Sequence, residues 1–395
     1  MHATEFLLCP NDYLKDNVAK QYFTAVFHVK QIAKLIVMLG CFLTLMTSFH
    51  LAEAGMIGEK QEQEMGKAAA EQIEAHYGVL NDYQTAERVE RIGQSLVAVC
   101  GRQNLKYSFK VLNTEDVNAM ACPGGYVYVF KGLLDYMPSD AELAAVLGHE
   151  IGHVVKRHTV HQIEKNMWTQ LVTILAGIAS GNGDALAMSM VVSDALAAGY
   201  SRADENAADR EGFAYALKAG YSPYAMLVTM NKLQELALQS GNPGWGIFDS
   251  HPQPEQRIHN INKMLVPLDI QPAPSKRKNG GACVREHFAD GGDWEMEIRE
   301  TAGGSDPFYR AELLAGALYQ IRRKDMIDPT HFIVFEASDR AEIFYEDMQL
   351  FIVFRQDAAG FSSIGECAGH YVEQLREWAD RVNRNKTNQS KPVAK

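Results

Sequence analysis

The sequence contains no long run of basic residues and no glycine-rich loop of the kind that cradles phosphate. Its 49 acidic residues outnumber its 38 lysines and arginines, which gives a formal net charge of -11 at pH 7. Because nucleic-acid binding depends largely on basic side chains that neutralise phosphates, we expect no nucleic-acid partner.

Cysteine is scarce, with six in the chain. Beyond residue 54 there are Cys100, Cys122, Cys283 and Cys367, which allow three complete pairings. A disulfide between Cys283 and Cys367 and a set of unpaired, buried thiols are both compatible with the sequence.

Long apolar runs are also scarce, and the run at residues 35–49 is short for a membrane span. Lys30 and Lys34 precede it, and Ala52-Glu53-Ala54 follows, which is the order of a secretory signal peptide. We therefore expect cleavage after Ala54 and a periplasmic or secreted protein, with a membrane anchor formed by residues 35–49 as the alternative. Since residues 1–28 are unusual upstream of a signal peptide, we expect translation to start at Val29.

The chain does contain the motif His149-Glu150-Ile151-Gly152-His153, set in an apolar helical pattern. Ser139 followed by Glu142 forms a capping box that predicts the start of this helix. Residues four apart share one helix face, so His149 and His153 can bind one metal ion, while Glu150 can act on a water as general base. Gly148 and Gly152 would let another element approach closely. A core helix with two hydrogen-bonded histidines is the alternative.

A second helix, predicted to open within Tyr200–Asp209 and to run to Gly220, supplies the companion residues. Catalytic zinc takes three protein ligands, and Glu205 is the candidate for the third. Asp209, one turn later, can orient a ligand histidine, while Asp204 is a rival ligand about 100° away around the helix. A surface helix rich in acidic residues is the alternative. His158 and His161 lack the spacing of a third ligand and are not included in the predicted site.

A candidate substrate-binding strand lies between strand patterns at 106–112 and 126–130. It comprises Asn118, Ala119, Met120, Ala121 and Cys122, followed by Pro123-Gly124-Gly125. Proline and glycine beside a strand mark a sheet edge or a sharp turn, and an extended peptide can add to a free edge. An ordinary hairpin turn explains the pattern equally well.

Taken together, these motifs resemble the gluzincin-type zinc metallopeptidase family that includes the CAAX prenyl endopeptidase, HtpX and BepA, over residues 57–268. The resemblance implies one Zn²⁺ per chain on His149, His153 and Glu205, with Glu150 activating water for endopeptidase cleavage. It also implies that His251 and Arg257 lie near the metal, where they stabilise the oxyanion. Alternatively, His251 occupies the open zinc position in a latent state. From the residues alone, His251 is equally a turn histidine.

We predict an α+β fold: a mainly helical zincin-type peptidase domain, whose small β-sheet has its edge strand at the active site, and a small α+β domain. The predicted boundaries are an N-terminal extension and signal peptide at 1–54, the peptidase domain at 55–270, a linker at 271–281, the second domain at 282–383 and a disordered tail at 384–395. The second domain shows strand patterns and no metal or nucleophile motif. Substrate selection, docking of an envelope partner and stability alone remain open as its role.

The sequence therefore predicts a zinc-dependent endopeptidase that acts on unfolded or misassembled protein or peptide substrates in quality control of the cell envelope. It lacks the paired long apolar spans of membrane-embedded relatives and the 34-residue helical repeats of BepA-like relatives. The alternative is a chaperone or assembly module whose zinc site is structural or plugged by His251.

Overall fold

The computed structural model describes residues 57–166, 184–242, 246–252, 254–289 and 291–389. The predicted signal peptide and the predicted start at Val29 lie outside these residues. Within the described ranges, no helix combines the length and the apolar character that a membrane crossing requires.

The first elements are two helices and a small sheet: α1 (Glu59–Tyr77), α2 (Tyr83–Val97), β1 (Ser108–Leu112), β2 (Ala119–Cys122) and β3 (Tyr126–Phe130). The strand order is β1-β3-β2, with β1 parallel and β2 antiparallel to β3, so β2 is an edge strand. Gly124 and Gly125, at φ 77° and 95°, make the turn into β3 in conformations that favour glycine. The predicted edge strand is thus confirmed, while its role in substrate binding stays a prediction.

Helices follow up to residue 265: α3 (Lys131–Tyr136), α4 (Asp140–Val155), α5 (His158–Lys165), α6 (Asp184–Ala197), α7 (Arg202–Lys218), α8 (Ala225–Gln239) and α9 (Pro254–Leu265). The N-terminus of α4 is capped as predicted, because Ser139 Oγ accepts from the Glu142 amide and the Glu142 carboxylate accepts from the Ser139 amide. Ser201 and Asp204 make the same reciprocal pair at the start of α7. Both helices begin where the sequence predicts.

Helix α4 lies in the centre of the first apolar cluster, where Leu143, Leu147 and Ile151 are almost fully buried. It packs directly on α7. A Cβ added at Gly148 would come within 3.0 Å of the Gly212 carbonyl oxygen, and one at Gly152 within 2.9 Å of the Ala208 carbonyl oxygen. The two helices therefore meet backbone to backbone, as the glycines of the motif predict.

The C-terminal part consists of two three-stranded antiparallel sheets and two helices. Its elements are β4 (Ala273–Lys276), β5 (Ala282–His287), β6 (Asp293–Ile298), α10 (Pro307–Arg322), β7 (Phe332–Glu336), β8 (Arg340–Tyr345), β9 (Met348–Phe354) and α11 (Ile364–Gln389). The strand orders are β4-β5-β6 and β7-β8-β9. Leu318 and Trp378, both fully buried, belong to the second apolar cluster that joins these elements. The α+β fold class is confirmed.

Two predicted boundaries need correction. The predicted linker at 271–281 contains β4, which pairs with β5. Pro274 is accommodated because β4 is an edge strand, where a missing amide hydrogen breaks no internal ladder. The predicted disordered tail is helical up to Gln389, since Lys386 Nζ donates to the carbonyl oxygen of Arg322 at 2.7 Å. Residues 390–395 lie outside the described part.

All four cysteines beyond residue 54 are free thiols in buried positions. Of the two alternatives left open by the sequence, the structure has the unpaired thiols and no Cys283–Cys367 bridge.

Candidate metal centre

Four buried side chains converge between helices α4 and α7 and the turn before α9. His149, His153, Glu205 and His251 each place one ligand atom within 4.8 Å of the others. The structure therefore brings together the three predicted ligands and adds His251 as a fourth donor.

The distances within this cluster are short. His149 Nε2 lies 3.0 Å from His153 Nε2 and 3.1 Å from His251 Nδ1. Glu205 Oε1 lies 3.4 Å from His153 Nε2 and 3.0 Å from His251 Nδ1. Imidazole nitrogens and a carboxylate oxygen thus face one small volume, which is the donor set of catalytic zinc sites of the two-histidine, one-glutamate type.

His149 shows directly why a cation suits this volume. Its Nδ1 lies 2.9 Å from Asp209 Oδ1. An ionised carboxylate only accepts, so Nδ1 carries the proton and the Nε2 lone pair points at the cluster. Together with the Glu205 carboxylate, this arrangement presents electron pairs and negative charge to one point, and a divalent metal fits it.

Glu150 lies beside the donors, and its carboxylate stands out among the described residues. Both of its carboxylate oxygens are buried without a hydrogen-bond partner among the described residues, and Oε1 is 3.7 Å from His251 Nε2. A buried, unpaired carboxylate is costly unless a cation or a substrate group compensates it. Glu150 is therefore poised for a partner that the side chains around it do not supply.

Glu150 also lines the wall of a cleft of about 480 Å³. The cleft is bordered by α1, β2, α6 and the turn that carries His251, with lining residues that include Ile73, Tyr77, Asn118, Met120, Leu196 and Tyr200. Of the predicted substrate strand, Asn118, Met120 and Ala121 line the cleft, whereas Ala119 and Cys122 are fully buried outside that lining.

Arg257 lies behind the ligands and outside the lining of the cleft. Its Nη1 is 2.7 Å from Glu205 Oε2, and its Nη2 is 2.7 Å from Asp209 Oδ1. Its Nε donates to Asp209 Oδ2 at 2.8 Å. The guanidinium thus braces the two carboxylates of α7, and its predicted catalytic role stays a prediction.

The electrostatics follow from these contacts. Burial alone would raise the pKa of Glu205, but His251 and Arg257 outweigh it and hold that pKa far below its usual range. Burial also opposes ionisation of Asp209, yet Arg257 keeps the pKa of this carboxyl well below its ordinary value. Burial lowers the pKa of His153 strongly. The centre therefore combines ionised carboxylates with a neutral ligand imidazole.

Two side chains that the sequence left out also contact His153. The Tyr200 ring stacks on the His153 ring with centroids 3.8 Å apart. His158 Nδ1 lies 2.9 Å from His153 Nδ1, and burial lowers the pKa of His158 to about 4. The rival ligand Asp204 lies outside the cluster and instead faces His158, with Oδ1 3.6 Å from Nε2. The spacing after the motif kept His158 and His161 out of the predicted ligand set, but it gave no sign of this indirect contact.

Comparison with known proteins agrees with this geometry. Residues 83–265 match the family model described as peptidase family M48. A putative beta-barrel assembly-enhancing protease of Vibrio cholerae is 31% identical over 224 residues, covering 54% of this chain and 46% of that protein. The mitochondrial metalloendopeptidase OMA1 of Schizosaccharomyces pombe is 29% identical, covering 53% of this chain and 63% of its own length. Metalloprotease YcaL of Escherichia coli is 33% identical over 162 residues, covering 40% of this chain and 62% of that protein.

The chain spans about half the length of the beta-barrel assembly-enhancing proteases that it matches. The matched range contains all four residues of the donor cluster and Glu150. Over residues 83–265 this chain is therefore similar to peptidase family M48.

Proposed function

We propose that the chain is a zinc-dependent endopeptidase. The observation that carries this proposal is Glu150, a buried carboxylate with no hydrogen-bond partner among the described residues, placed between a convergent donor cluster and an open cleft. A structural metal site needs no such carboxylate, whereas hydrolysis requires a general base beside the metal.

His149, His153 and Glu205 would hold the zinc ion. When bound, zinc supplies the Lewis acidity that makes water a competent nucleophile near neutral pH and polarises a carbonyl group. Asp209 orients His149, and Arg257 keeps the carboxylates of Glu205 and Asp209 in place.

Glu150 moves the proton. It would accept a proton from the attacking water and deliver it to the leaving amine, since one carboxylate can serve as base and then as acid. His251 Nε2, 3.7 Å from Glu150 Oε1, is close enough to hydrogen-bond a substrate oxygen in the same region after a small displacement. This gives His251 a role in stabilising the oxyanion.

The cleft supports an extended, apolar substrate segment. The edge strand β2 offers free backbone groups to a peptide, and Ile73, Met120 and Leu196 give the cleft an apolar lining. Folded proteins bury such segments, so unfolded or misassembled proteins are the proposed substrates. The relatives named beta-barrel assembly-enhancing proteases support a task in envelope quality control, with the periplasm as the proposed location.

The domain boundaries belong to the same proposal: a peptidase domain up to residue 270 and a C-terminal domain that docks an envelope partner. The two separate apolar clusters support this division.

A latent or non-catalytic site is the second candidate, and His251 favours it. Its Nδ1 converges with the three ligands as a fourth donor, and four protein donors describe a closed site. A chaperone or assembly module with a plugged zinc site would look like this.

Casein cleavage by the purified chain tests the proposal. We expect Glu150→Gln to lower the rate about 10²–10⁴-fold, because it removes the general base while keeping its shape. A zinc chelator should abolish cleavage, and added Zn²⁺ should restore it. If His251 acts as a plug, His251→Ala should raise the rate; if it stabilises the oxyanion, the same variant should lower it.

Glu87→Gln is the matched control, because Glu87 is an exposed carboxylate on α2. Equal cleavage by the wild type and Glu150→Gln would remove Glu150 from the mechanism. A zinc-loaded chain that stays inert toward unfolded substrates even as His251→Ala would favour the chaperone alternative.

A further inference from the structure

The link between α4 and α5 places His158 against His153 of α4. Arg157, at φ 55°, adopts the left-handed conformation that non-glycine residues rarely take. Its guanidinium group makes two contacts, since Nε donates to Glu62 Oε2 at 2.8 Å and Nη2 donates to the Ile57 carbonyl oxygen at 2.5 Å. The turn is thus fixed by contacts with the segment that begins α1, and it determines where His158 lies.

In this position His158 contacts the side of His153 that points away from the donor cluster. Both rings are buried, and the two Nδ1 atoms are 2.9 Å apart. Two neutral imidazoles at this distance form one hydrogen bond, and either ring can be the donor. If His153 donates, its Nε2 has a free lone pair for the metal. If His158 donates, His153 carries its own proton on Nε2 and cannot bind a metal there.

Asp204 favours the arrangement in which His153 donates to His158. Its Oδ1 lies 3.6 Å from His158 Nε2, so the carboxylate attracts a proton on that nitrogen and leaves the His158 Nδ1 lone pair to accept from His153. The carboxylate is itself anchored, because Ser201 Oγ donates to Asp204 Oδ2 at 2.6 Å. Asp204 therefore caps α7 and sets the tautomer of His158 at the same time.

We propose that His158, backed by Asp204, is a positioning residue that holds His153 in the one tautomer able to bind the metal through Nε2. His149 has its proton acceptor in Asp209. His158 gives His153 the equivalent acceptor, so the two ligand histidines of α4 are oriented from opposite sides by separate partners. This inference rests on the metal site of the proposed function, but it does not depend on peptidase activity.

Zinc affinity, measured by competition with a chromogenic chelator, tests the proposal. His158→Phe keeps a ring of similar size and removes the acceptor, and we expect it to weaken Zn²⁺ binding on the order of 10–100-fold. His158→Asn keeps an acceptor near the Nδ1 position and should recover most of the affinity. Asp204→Asn, which retains a capping oxygen but loses the charge, should weaken binding by less than His158→Phe.

A second readout separates orientation of the ligand from simple packing. The visible absorption of the Co²⁺-loaded chain reports ligand geometry, so it should change in His158→Phe and return toward the wild-type spectrum in His158→Asn. His161→Phe is the matched control, because His161 is an exposed histidine on the same helix, and it should leave both readouts unchanged.

Zinc affinity of a folded His158→Phe within about twofold of the wild type would overturn the proposal. If that variant fails to fold, the pair His158→Asn and Asp204→Asn decides: both must be folded, and wild-type affinity in Asp204→Asn would remove the carboxylate from the argument. Zn²⁺ binding that depends on His158 without any casein cleavage would support the positioning role and contradict the peptidase.

Discussion

At the scale of single residues, Glu312 is an ionisable group far from the metal centre with an unusual environment. This carboxyl on α10 is 6% exposed, and its Oε2 has no hydrogen-bond partner among the described residues. Burial, reinforced by the nearby charge of Asp306, raises the pKa of Glu312 to about 8, against a smaller opposing effect of Lys276. Glu312 is therefore neutral in the folded protein at pH 7.

Glu312→Gln tests this environment. A folded-state pKa above the unfolded value of 4.5 means that the group's stabilising contribution is complete below pH 4.5 and is lost as pH rises to about 8. Glutamine does not titrate, so we expect the variant to gain stability relative to the wild type over this range, on the order of 3–5 kcal/mol. Urea unfolding at pH 5 and pH 8.5 measures the difference.

The exposed Glu300 provides the control, because Glu300→Gln should leave the pH dependence of unfolding as it is in the wild type. Parallel stability profiles for Glu312→Gln and the wild type would show that Glu312 is ionised in the fold.

Single residues of the site also show which positions can be predicted from the sequence. His149, His153 and Glu205 could be predicted because helical periodicity alone sets which side chains share a face. His251 needed a family resemblance, since nothing in a turn sequence says what it faces. His158 was missed because its place depends on the left-handed Arg157, and that conformation is imposed by distant contacts with Glu62 and Ile57.

At the scale of elements, the contact between α4 and α7 positions the site. A Cβ on Gly212 would come within 2.7 Å of the backbone of Gly148 and His149. We expect Gly212→Ala to push the helices apart, to lower the free energy of unfolding by about 1–3 kcal/mol and to weaken Zn²⁺ binding, because Glu205 moves away from the histidines. Urea unfolding and chelator competition measure the two effects.

Gly369 is a matched control on α11, since an added Cβ there would meet nothing within 4 Å. Gly369→Ala should leave Zn²⁺ binding unchanged and stabilise the protein by up to about 1 kcal/mol through helix propensity. Unchanged zinc affinity in Gly212→Ala would show that the ligands tolerate a wider helix separation.

Elements differed in how well the sequence predicted them. The start of α4 was predicted because a capping box is a local signal, complete within four residues. Strand β4 was missed because Pro272 and Pro274 resemble a linker, and only pairing with β5 makes the segment a strand. Elements that are set by neighbouring residues could be predicted from the sequence, whereas an element that depends on pairing with a distant strand could not.

At the scale of the whole molecule, the C-terminal part contacts both helices that carry ligands. Gln320 Nε2, on α10, donates to the carbonyl oxygens of Leu217 and Tyr221 at the end of α7, at 2.9 and 2.8 Å. Gln349, on β9, accepts from the amide of Asp140 at the start of α4 at 2.8 Å. These contacts make the C-terminal part a support for helices α4 and α7.

Gln320→Ala should lower the free energy of unfolding by about 1–3 kcal/mol, because it removes a side-chain donor shared by the carbonyl oxygens of Leu217 and Tyr221. Gln256→Ala, at an exposed position on α9, should change it by no more than about 0.5 kcal/mol. Urea unfolding of both variants checks this, and equal midpoints would mean that water replaces the lost donor.

The charged groups around Glu205, which include the bracing Arg257, also set the net charge of the site. Besides its histidines, its buried ionisable groups are the carboxylates of Glu150, Glu205 and Asp209 and the guanidinium of Arg257. Imidazoles that bind a metal ion are neutral, and the remaining formal charges then add to minus two, so a doubly charged ion makes the enclosed set electroneutral. Singly and triply charged ions leave a net charge in a low-dielectric interior. On formal charge alone, the site therefore favours a doubly charged ion.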